Sequence, residues 1–330
     1  MKKNTQGIGI VGLGRMGANM ARRLARGGAQ VCAWDQAARA RRALAGERRI
    51  TLAAGLAQLV AELSSPRVLW LMLPAGQAST DTLAKLLPLL GRGDVLVDGA
   101  NANYKDSMRR AAELVKLGLH YVDAGVSGGI WGLANGYTIM LGGEARAVKR
   151  VAPYARLLAP PKGWLHCGPS GAGHYVKMIH NGIEYGLMQA YAEGLALLAG
   201  KKEFALDLAA ISELWRHGSV VRSWLLDLIA GNLKRDAALA AIAPVVADSG
   251  EGRWTAIEAV ELGVPAPVIS LALAMRFASQ GRGDYGAKQL AQLRNSFGGH
   301  AVKSVGDRGG HAGKSAGVRG GHAASKSRKS

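Results

Sequence analysis

A short stretch of the chain, residues 174–185, is rich in side chains that can take up or release a proton. Placed on a helix at about 100° per residue, five of its polar or amphipathic side chains share an arc of about 140°. These side chains belong to Lys177, His180, Asn181, Glu184 and Tyr185. In a partly desolvated cleft, a lysine beside a carboxylate can lose its proton and act as a base, and the carboxylate can act as an acid. The stretch therefore predicts acid–base chemistry.

The element that must carry these side chains is a long helix. An apolar-periodic segment runs from His174 to about Gly200, and this periodicity is typical of a helix. Charges on a helix are usually solvated, but this helix is otherwise apolar or small-sided. We therefore expect the polar arc to face a cleft, with Ile179 and Ile183 pointing the other way into packing.

A glycine-rich turn near the N-terminus predicts a nucleotide site. Residues 12–17 read Gly-Leu-Gly-Arg-Met-Gly, after a strand-like run and before a helical pattern. In this context Gly12 permits the tight turn, Gly14 lets the backbone approach a pyrophosphate, and Gly17 lets helix and strand pack closely. The helix N-terminus supplies free N–H groups and the positive end of a dipole.

An acid at the end of the next strand-like run favours NAD over NADP. Asp35 follows Gly17 by 18 residues, where a carboxylate can bind the ribose 2′-hydroxyl and repel a 2′-phosphate. The next residue is Gln36 rather than a basic one. Arginines at 39, 41 and 42 leave open a contact to a phosphate.

The first half of the chain alternates strand and helix patterns, which indicates a mostly parallel sheet. The predicted strands are Gly7–Val11, Gln30–Trp34, Arg67–Met72, Val95–Asp98, Tyr121–Asp123 and Tyr137–Leu141. The predicted helices between and after them are 15–27, 37–46, 76–90, 103–117 and 145–158.

After a Pro/Gly-rich stretch at 160–171 only helical patterns follow, at 203–216, 219–230, 254–263, 267–279 and 286–296. We therefore predict a Rossmann-like α/β dinucleotide-binding domain over 1–169. An all-α substrate and dimerisation domain follows over 170–300. Residues 301–330 have too few hydrophobic residues to offset the entropy of ordering, and we predict a disordered basic tail.

The chain is basic, with 42 Lys and Arg against 23 Asp and Glu, a net charge of +19. The last 30 residues hold seven basic residues and one acidic residue, so +13 remains elsewhere. This balance suggests an anionic small molecule or a nucleic acid as partner. Two cysteines, Cys32 and Cys167, form no disulfide framework and fit a reducing cytosol. No apolar run is long enough for a membrane helix, so we expect a soluble, cytoplasmic protein.

Several stretches in colinear order, from about residue 7 to 302, resemble decarboxylating 6-phosphogluconate dehydrogenases. They are Gly12–Met20, Asp98–Asn101, Gly125–Gly129, Gly173–Gly186, Asp248–Thr255 and Arg294–His300. The resemblance implies NAD-dependent oxidative decarboxylation of 6-phospho-D-gluconate to D-ribulose 5-phosphate and CO2. This reaction belongs to the pentose phosphate pathway and to gluconate utilisation.

The resemblance also implies roles for residues. Lys177 takes the proton of the C3 hydroxyl and then polarises the new ketone. Glu184 protonates C1 of the enediol, and the reaction requires no metal. The implied contacts to the sugar hydroxyls and carboxylate are Asn101, Ser127, Gly128, Gly129, His180 and Asn181, the last grouped with the catalytic pair. The implied phosphate contacts are Tyr185, Arg276, Arg294 and His300. The predicted cofactor contacts are Gly12, Leu13, Gly14, Arg15, Met16, Gly17, Asp35, Leu73 and Asn101.

The chain departs from the widespread long form of the family in three ways. It holds one copy of the helical unit, which resembles the short bacterial type. Arg294 and His300 could then reach a neighbouring subunit's site, so we expect a homodimer or homotetramer. Asp35-Gln36 replaces the Asn-Arg pair of the NADP-using form, which again favours NAD. The glycine loop before Trp254 is contracted, and whether Arg253 replaces the lost phosphate contact stays open.

Two other functions remain to be distinguished. A 3-hydroxyisobutyrate-like β-hydroxyacid dehydrogenase would share the fold, the glycine turn and a Lys/Asn pair, but needs no acid for an enediol. Glu184 is therefore the discriminating residue. A nucleic-acid-binding protein is the more remote alternative, because aromatic residues are only 5% of the chain and no basic-aromatic RNA motif is present.

Overall fold

The computed structural model describes residues 7–303 of the chain. The chain divides into two compact units, one ending at Gln280 and the other beginning at Gly281. Within the described residues, the helices are too short or too polar to cross a membrane.

A parallel sheet with one antiparallel pair forms the centre of the first unit. Its strands are β1 (Ile8–Val11), β2 (Val31–Trp34), β3 (Ile50–Leu52), β4 (Val68–Leu71), β5 (Val95–Asp98), β6 (His120–Ser127), β7 (Thr138–Gly143) and β8 (Trp164–Gly168). Their order in the sheet is β3-β2-β1-β4-β5-β6-β7-β8. Only β6 and β7 pair antiparallel among these neighbours. The predicted α/β class with a mostly parallel sheet is confirmed.

The two strands that the sequence pattern did not predict are the two edges of this sheet, β3 and β8. In β3, Thr51 is exposed between half-buried neighbours, and in β8 the central Leu165 and His166 are exposed. An edge strand is less completely covered than a central one, so it lacks the continuous apolar run that marks a buried parallel strand.

Helices cover both faces of the sheet, and after the last strand the chain continues as helices alone. In the first unit they are α1 (Arg15–Arg26), α2 (Ala38–Arg42), α3 (Leu56–Ala61), α4 (Gln77–Leu86), α5 (Tyr104–Lys116), α6 (Gly132–Asn135), α7 (Ala145–Leu158), α8 (Ala172–Gly200), α9 (Leu208–Trp215), α10 (Trp224–Arg235), α11 (Glu251–Glu261) and α12 (Pro267–Ser279). The sequence pattern missed α3 and α6, which are too short to show a helical period.

Two hydrophobic cores lie on opposite faces of the sheet. Along β4, Val68 and Trp70 belong to the core shared with α1 and α7, whereas Leu69 and Leu71 belong to the core shared with α3 to α5. This alternation follows from the two-residue period of a strand. Because both faces are covered, the strand reads as a continuous apolar run.

Capping residues set several helix starts that periodicity alone misplaced. The side chain of Ser223 accepts from the backbone N–H of Leu226, so α10 begins at Trp224 rather than at the predicted 219. The side chain of Asp207 accepts from the N–H of Ala210 and begins α9 five residues later than predicted. Such caps satisfy N–H groups that have no partner inside the helix.

The second unit holds α13 (Asp284–Gly298) within its described part. This helix agrees with the predicted 286–296 pattern. Arg294 lies on α13, and His300 follows it; both are exposed. Most of the predicted basic tail, residues 304–330, lies outside the described residues.

Candidate active site

The glycine turn between β1 and α1 has the shape that a dinucleotide needs. Gly12 has φ +93°, and a Cβ there would lie 2.5 Å from the carbonyl oxygen of Met72. A Cβ at Gly17 would lie 2.0 Å from the carbonyl oxygen of Gly12. A Cβ at Gly14 would meet nothing within 4 Å, so the space beside the turn is open. The start of α1 also has no side-chain cap, which leaves N–H groups for a pyrophosphate.

Asp35 is tied to this turn by its own carboxylate. Its Oδ2 accepts from the N–H of Leu13 at 2.6 Å, and its Oδ1 accepts from the N–H of Ala37 at 2.7 Å. Each oxygen keeps a second lone pair for a ribose hydroxyl. Arg41 donates to the main-chain carbonyls of Asp35 at 2.5 Å and Gln36 at 3.3 Å, so a guanidinium lies next to the predicted ribose site.

The start of α8 is anchored to the sheet by Asp123, a fully buried residue of β6. Its Oδ1 accepts from the N–H of Gly171 at 2.6 Å and its Oδ2 from the N–H of His174 at 2.9 Å. A negative group at this end of a helix also interacts favourably with the helix dipole. The carboxylate therefore compensates N–H groups that would otherwise be buried without a partner.

Glycines let α8 lie directly on strands β6 and β7. A Cβ at Gly125 would lie 2.4 Å from the Cβ of Lys177. A Cβ at Gly142 would lie 2.5 Å from the backbone nitrogen of Gly173, and a Cβ at Gly173 would lie 2.5 Å from the carbonyl oxygen of Met140. Any larger residue at these positions would push the helix away from the sheet. The position of Lys177 is therefore set by close backbone packing.

We expect Asp123→Asn to lower the free energy of unfolding by about 2 kcal/mol, because the new amide turns a donor toward one of the two buried N–H groups. Denaturant titration followed by circular dichroism measures this change. Asp106→Asn is the matched control, since the side chain of Asp106 is 46% exposed and pairs with Arg109 on α5. The control should change stability by less than about 0.5 kcal/mol. Equal effects of the two substitutions would contradict the anchoring role.

A cavity of about 960 Å³ lies against one face of α8. Both polar groups and large apolar side chains line it, and the apolar group includes Trp131 and Trp224. The prediction that Ile183 points into packing is wrong: it is 52% exposed and lines the cavity, as does Ile179. The isoleucines and part of the polar arc therefore meet the same cavity, which Lys177, His180 and Glu184 also line.

Lys177 is the buried cation of the site. The residue is 8% exposed, and its Nζ donates to the Oδ1 of Asn181 at 2.7 Å. Burial lowers the pKa of Lys177, and the carboxylates of Glu184 and Glu251 oppose this shift by attracting the ammonium. A lowered pKa gives a larger fraction of neutral amine near neutral pH, which suits a base.

His180 and Glu184 lie on the same face of α8, one turn apart. The Nδ1 of His180 is 3.1 Å from the Oδ1 of Asn181 and 3.9 Å from the Oε2 of Glu184. The side chain of Glu184 is 40% exposed and lines the cavity. A carboxyl group at that position can exchange a proton with a molecule in the cavity.

The loop after β5 carries Asn101 toward the helical half. Asp98 holds the base of this loop: it is 1% exposed, and it accepts from Arg110 at 2.9 Å, Tyr121 at 2.8 Å and the N–H of Ala100 at 3.0 Å. The Nδ2 of Asn101 donates to the Oε1 of Glu251 on α11. The sequence interpretation gave no role to Glu251, although it lies inside a stretch that carries the family resemblance.

The predicted phosphate contacts of the first unit gather around Tyr185. Its hydroxyl is 3.2 Å from the Oγ of Ser249, and the guanidinium carbon of Arg276 lies 3.4 Å from the centre of its ring. Arg276 also donates to the carbonyl of Ala247 at 2.8 Å. Arg253 donates to Asp248 through Nε at 3.1 Å and Nη2 at 2.7 Å, so this guanidinium already has a carboxylate partner.

The structure thus brings together much of the predicted set. The predicted residues that line this cavity are Met16, Ser127, Gly128, Gly129, Lys177, His180 and Glu184. Leu73 lies at the glycine turn, where its Cδ2 is 3.0 Å from a Cβ position on Gly12. Arg294 and His300 belong to the second unit, and their assignment to the phosphate stays a prediction.

A parallel sheet with a glycine turn at its first strand, followed by a helix that presents a buried lysine, defines a dinucleotide-dependent oxidoreductase. The family model described as the NAD binding domain of 6-phosphogluconate dehydrogenase matches residues 7–162. The model described as the 6-phosphogluconate dehydrogenase C-terminal domain matches residues 173–297. The chain belongs to the 6-phosphogluconate dehydrogenase family, and the predicted family is confirmed.

Individual proteins agree with this assignment. The NAD(+)-dependent, decarboxylating 6-phosphogluconate dehydrogenase of Haloferax volcanii is 40% identical over 302 residues, which cover 91% of this chain and 99% of that protein. The 6-phosphogluconate dehydrogenase of Plasmodium falciparum, solved with NADP+ and with 6-phosphogluconate, superposes with a TM-score of 0.77 at 27% identity. That match covers 88% of this chain and 65% of the other.

A solved 3-hydroxyisobutyrate dehydrogenase of Mycobacterium tuberculosis shares the fold. It superposes with a TM-score of 0.67 at 22% identity and covers 85% of this chain and 94% of its own. At this identity the likeness shows the fold alone. It therefore leaves the choice between the two substrate classes to the chemistry of the site.

Proposed function

We propose that the protein oxidises and decarboxylates 6-phospho-D-gluconate to D-ribulose 5-phosphate and CO2, with NAD as the hydride acceptor. The observation that carries this proposal is the pairing of two groups on one face of α8. Lys177 is buried and bonded to Asn181, and Glu184 lines the cavity about two turns further along. A base alone serves a simple dehydrogenase. A base together with an acid also serves the enediol that follows loss of CO2.

The glycine turn fits a dinucleotide, because the space beside Gly14 is open and α1 begins without a side-chain cap. Gly12, Gly14 and Gly17 would face the pyrophosphate, and Asp35 would bind the ribose. Leu13, Arg15, Met16 and Leu73 belong to the same proposed contact set. When bound, the nicotinamide accepts the hydride that leaves C3 of the sugar acid.

The chain's own groups then handle the protons. Neutral Lys177 takes the proton of the C3 hydroxyl as C3 becomes a ketone. The resulting ammonium donates a hydrogen bond to that ketone, which lets the C1 carboxylate leave as CO2 and an enediol form. Glu184 donates its proton to the carbon that was C2 of the sugar acid, which becomes C1 of the ketose product. Ser127, Gly128, Gly129, Asn101 and His180 are the proposed contacts to hydroxyls and carboxylate.

The phosphate end of the substrate is proposed to lie near Tyr185 and Arg276. A guanidinium can bind phosphate through two parallel hydrogen bonds. The guanidinium of Arg276 lies over the ring of Tyr185, the other proposed phosphate contact of the first unit. Arg294 and His300 are proposed as further phosphate contacts, from the same or a neighbouring subunit. This sharing would make a homodimer or homotetramer the active form.

The test is a coupled assay of reduced nicotinamide and of CO2 with 6-phosphogluconate. We expect one CO2 per NADH and slower reduction of NADP. NADH without CO2 would contradict the decarboxylation and favour the simple β-hydroxyacid dehydrogenase. Faster reduction of NADP than of NAD would contradict the proposed cofactor.

We expect Asp35→Ala to lower the ratio of kcat/KM for NAD to that for NADP by about tenfold, the equivalent of one good hydrogen bond. The substitution removes the ribose acceptor and the charge that repels a 2′-phosphate. It also frees the N–H groups of Leu13 and Ala37, which weakens both cofactors together, so the ratio is the quantity to measure.

Asp35→Asn is the matched control, because asparagine has nearly the same size as aspartate. It keeps an acceptor but removes the charge, and its ratio should lie between those of Asp35→Ala and the unsubstituted protein. A ratio that does not change in either variant would remove Asp35 from the ribose site.

A further inference from the structure

Glu251 is a buried carboxylate that the steps above do not use. It is the first residue of α11 and is 3% exposed. A carboxylate is rarely buried unless it is paired or fully hydrogen-bonded. Its two oxygens have different partners: Oε1 accepts from the side-chain amide of Asn101, and Oε2 accepts from the hydroxyl of Ser249 at 2.6 Å.

These bonds link two parts of the proposed substrate site. The hydroxyl of Ser249 also lies 3.2 Å from that of Tyr185. One connected chain of hydrogen bonds therefore runs from Asn101, through Glu251 and Ser249, to Tyr185. Asn101 is the proposed contact to the sugar-acid end of the substrate, and Tyr185 is the proposed contact to its phosphate end. Glu251 lies near the middle of the series of hydrogen bonds that joins these two residues.

The bond to Asn101 decides which way that amide faces. A carboxylate accepts hydrogen bonds and has none to donate. It therefore selects the orientation in which Asn101 turns its Nδ2 toward Glu251, and the carbonyl oxygen of Asn101 is left to accept from a substrate hydroxyl. A neutral partner that both donates and accepts would permit either orientation.

The charge of Glu251 also reaches the proposed base. Glu251 and Glu184 both attract the ammonium of Lys177, against the effect of burial. Other charged or titratable groups on these elements are His174, Tyr175, His180, Glu184 and Tyr185 on α8 and Asp123 on β6. On α11, Arg253 is paired with Asp248, and Glu258 accepts from the hydroxyl of Tyr104. Asp123 is committed to backbone N–H groups. Glu251 is the carboxylate that faces Lys177 from α11.

We propose that Glu251 is a positioning residue of the reaction, which orients the amide of Asn101 and holds a second negative charge beside Lys177. The inference rests on the proposed function. Glu251→Gln removes the charge but keeps an acceptor for Asn101, because the hydroxyl of Ser249 can turn from donor to acceptor. Glu251→Ala removes both the charge and the link.

The matched control is Glu261→Gln. Glu261 lies at the other end of α11, and its partner, Lys105, is an exposed residue outside the site. A purely structural role for Glu251 at the start of α11 would lower stability but leave the titration of Lys177 and the KM unchanged.

The experiment measures kcat/KM for 6-phosphogluconate against pH in the three variants and the unsubstituted protein. Loss of a carboxylate beside Lys177 favours the neutral amine, so the acidic limb should move to lower pH by about one unit in Glu251→Gln. The KM of Glu251→Ala should rise about tenfold, and that of Glu251→Gln should rise less. Glu261→Gln should match the unsubstituted protein. An acidic limb that stays in place in Glu251→Gln, or an unchanged KM in Glu251→Ala, would overturn the inference.

A second measurement separates this inference from the proposed function. An acid anhydride modifies only neutral amines, and peptide mass spectrometry follows its reaction at Lys177 as a function of pH. The midpoint should shift to lower pH in Glu251→Gln and not in Glu261→Gln, whatever substrate the enzyme uses. If the unsubstituted protein forms no NADH from 6-phosphogluconate, the proposed function fails, and this midpoint still decides the role of Glu251. A midpoint that does not shift would overturn it.

Discussion

Lys177→Ala should reduce turnover of 6-phosphogluconate by about 10⁴-fold, because the variant loses the base and the later hydrogen bond to the ketone together. NAD should bind with nearly unchanged Kd, since the glycine turn and Asp35 lie on other elements. Steady-state NADH formation and a direct NAD titration measure the two quantities. In the unsubstituted protein, kcat/KM should rise with pH up to the lowered pKa of Lys177, since only the neutral amine acts as a base.

Lys177→Arg and Lys177→Met are the controls for this result. Arginine keeps the positive charge but does not lose its proton at any relevant pH, and methionine keeps an unbranched side chain without charge. Both should be nearly as inactive as the alanine variant. Turnover within about tenfold of the unsubstituted protein in any of the three would contradict the assignment of the base.

Glu184→Gln should lower steady-state turnover by about 10²–10³-fold, the size that general acid catalysis commonly supplies. The acid acts after the hydride has left, so the first NADH of each active site should still form quickly. We therefore expect a burst of one NADH per site followed by a slow phase, because the enediol has lost its proton donor. Rapid-mixing absorbance measurements resolve the two phases.

Glu193→Gln provides the comparison on the same helix. Glu193 lies on α8 beyond the cavity lining, and its carboxylate accepts from Gln189 at 2.8 Å on the exposed surface. It should show unchanged kinetics. Loss of the burst itself in Glu184→Gln would place that residue before hydride transfer and contradict its proposed role as the acid.

The sequence predicted the elements whose local pattern is strong. The central strands read as apolar runs because both faces of the sheet are covered, and the glycine turn has a spacing tied to its geometry. The contact between Lys177 and Asn181 also follows from a separation of four residues on a helix. In each case the information lies within one element or one turn.

Features that depend on the packing of distant segments could not be read in this way. Glu251 becomes a buried partner of Asn101 because α11 packs against the loop before α5, 150 residues away in sequence. Ile183 was misplaced because helical spacing tells which residues share a face but not whether that face meets a core or a cavity. The edge strands β3 and β8 are recognisable only from their neighbours in the sheet.

The seat of α8 on the sheet has a mechanical consequence. In sequence α8 opens the helical half, yet its first turns are bonded to Asp123 and lie in backbone contact with β6 and β7. The position of the proposed base, Lys177, is therefore fixed relative to the sheet that carries the proposed cofactor site. Helix α11 is in turn bonded to α8, because the hydroxyl of Thr255 donates to the carbonyl of Met178, so Glu251 and Lys177 are both held relative to that sheet. The lysine is therefore aligned by the fold itself and needs no substrate to bring it to the sheet.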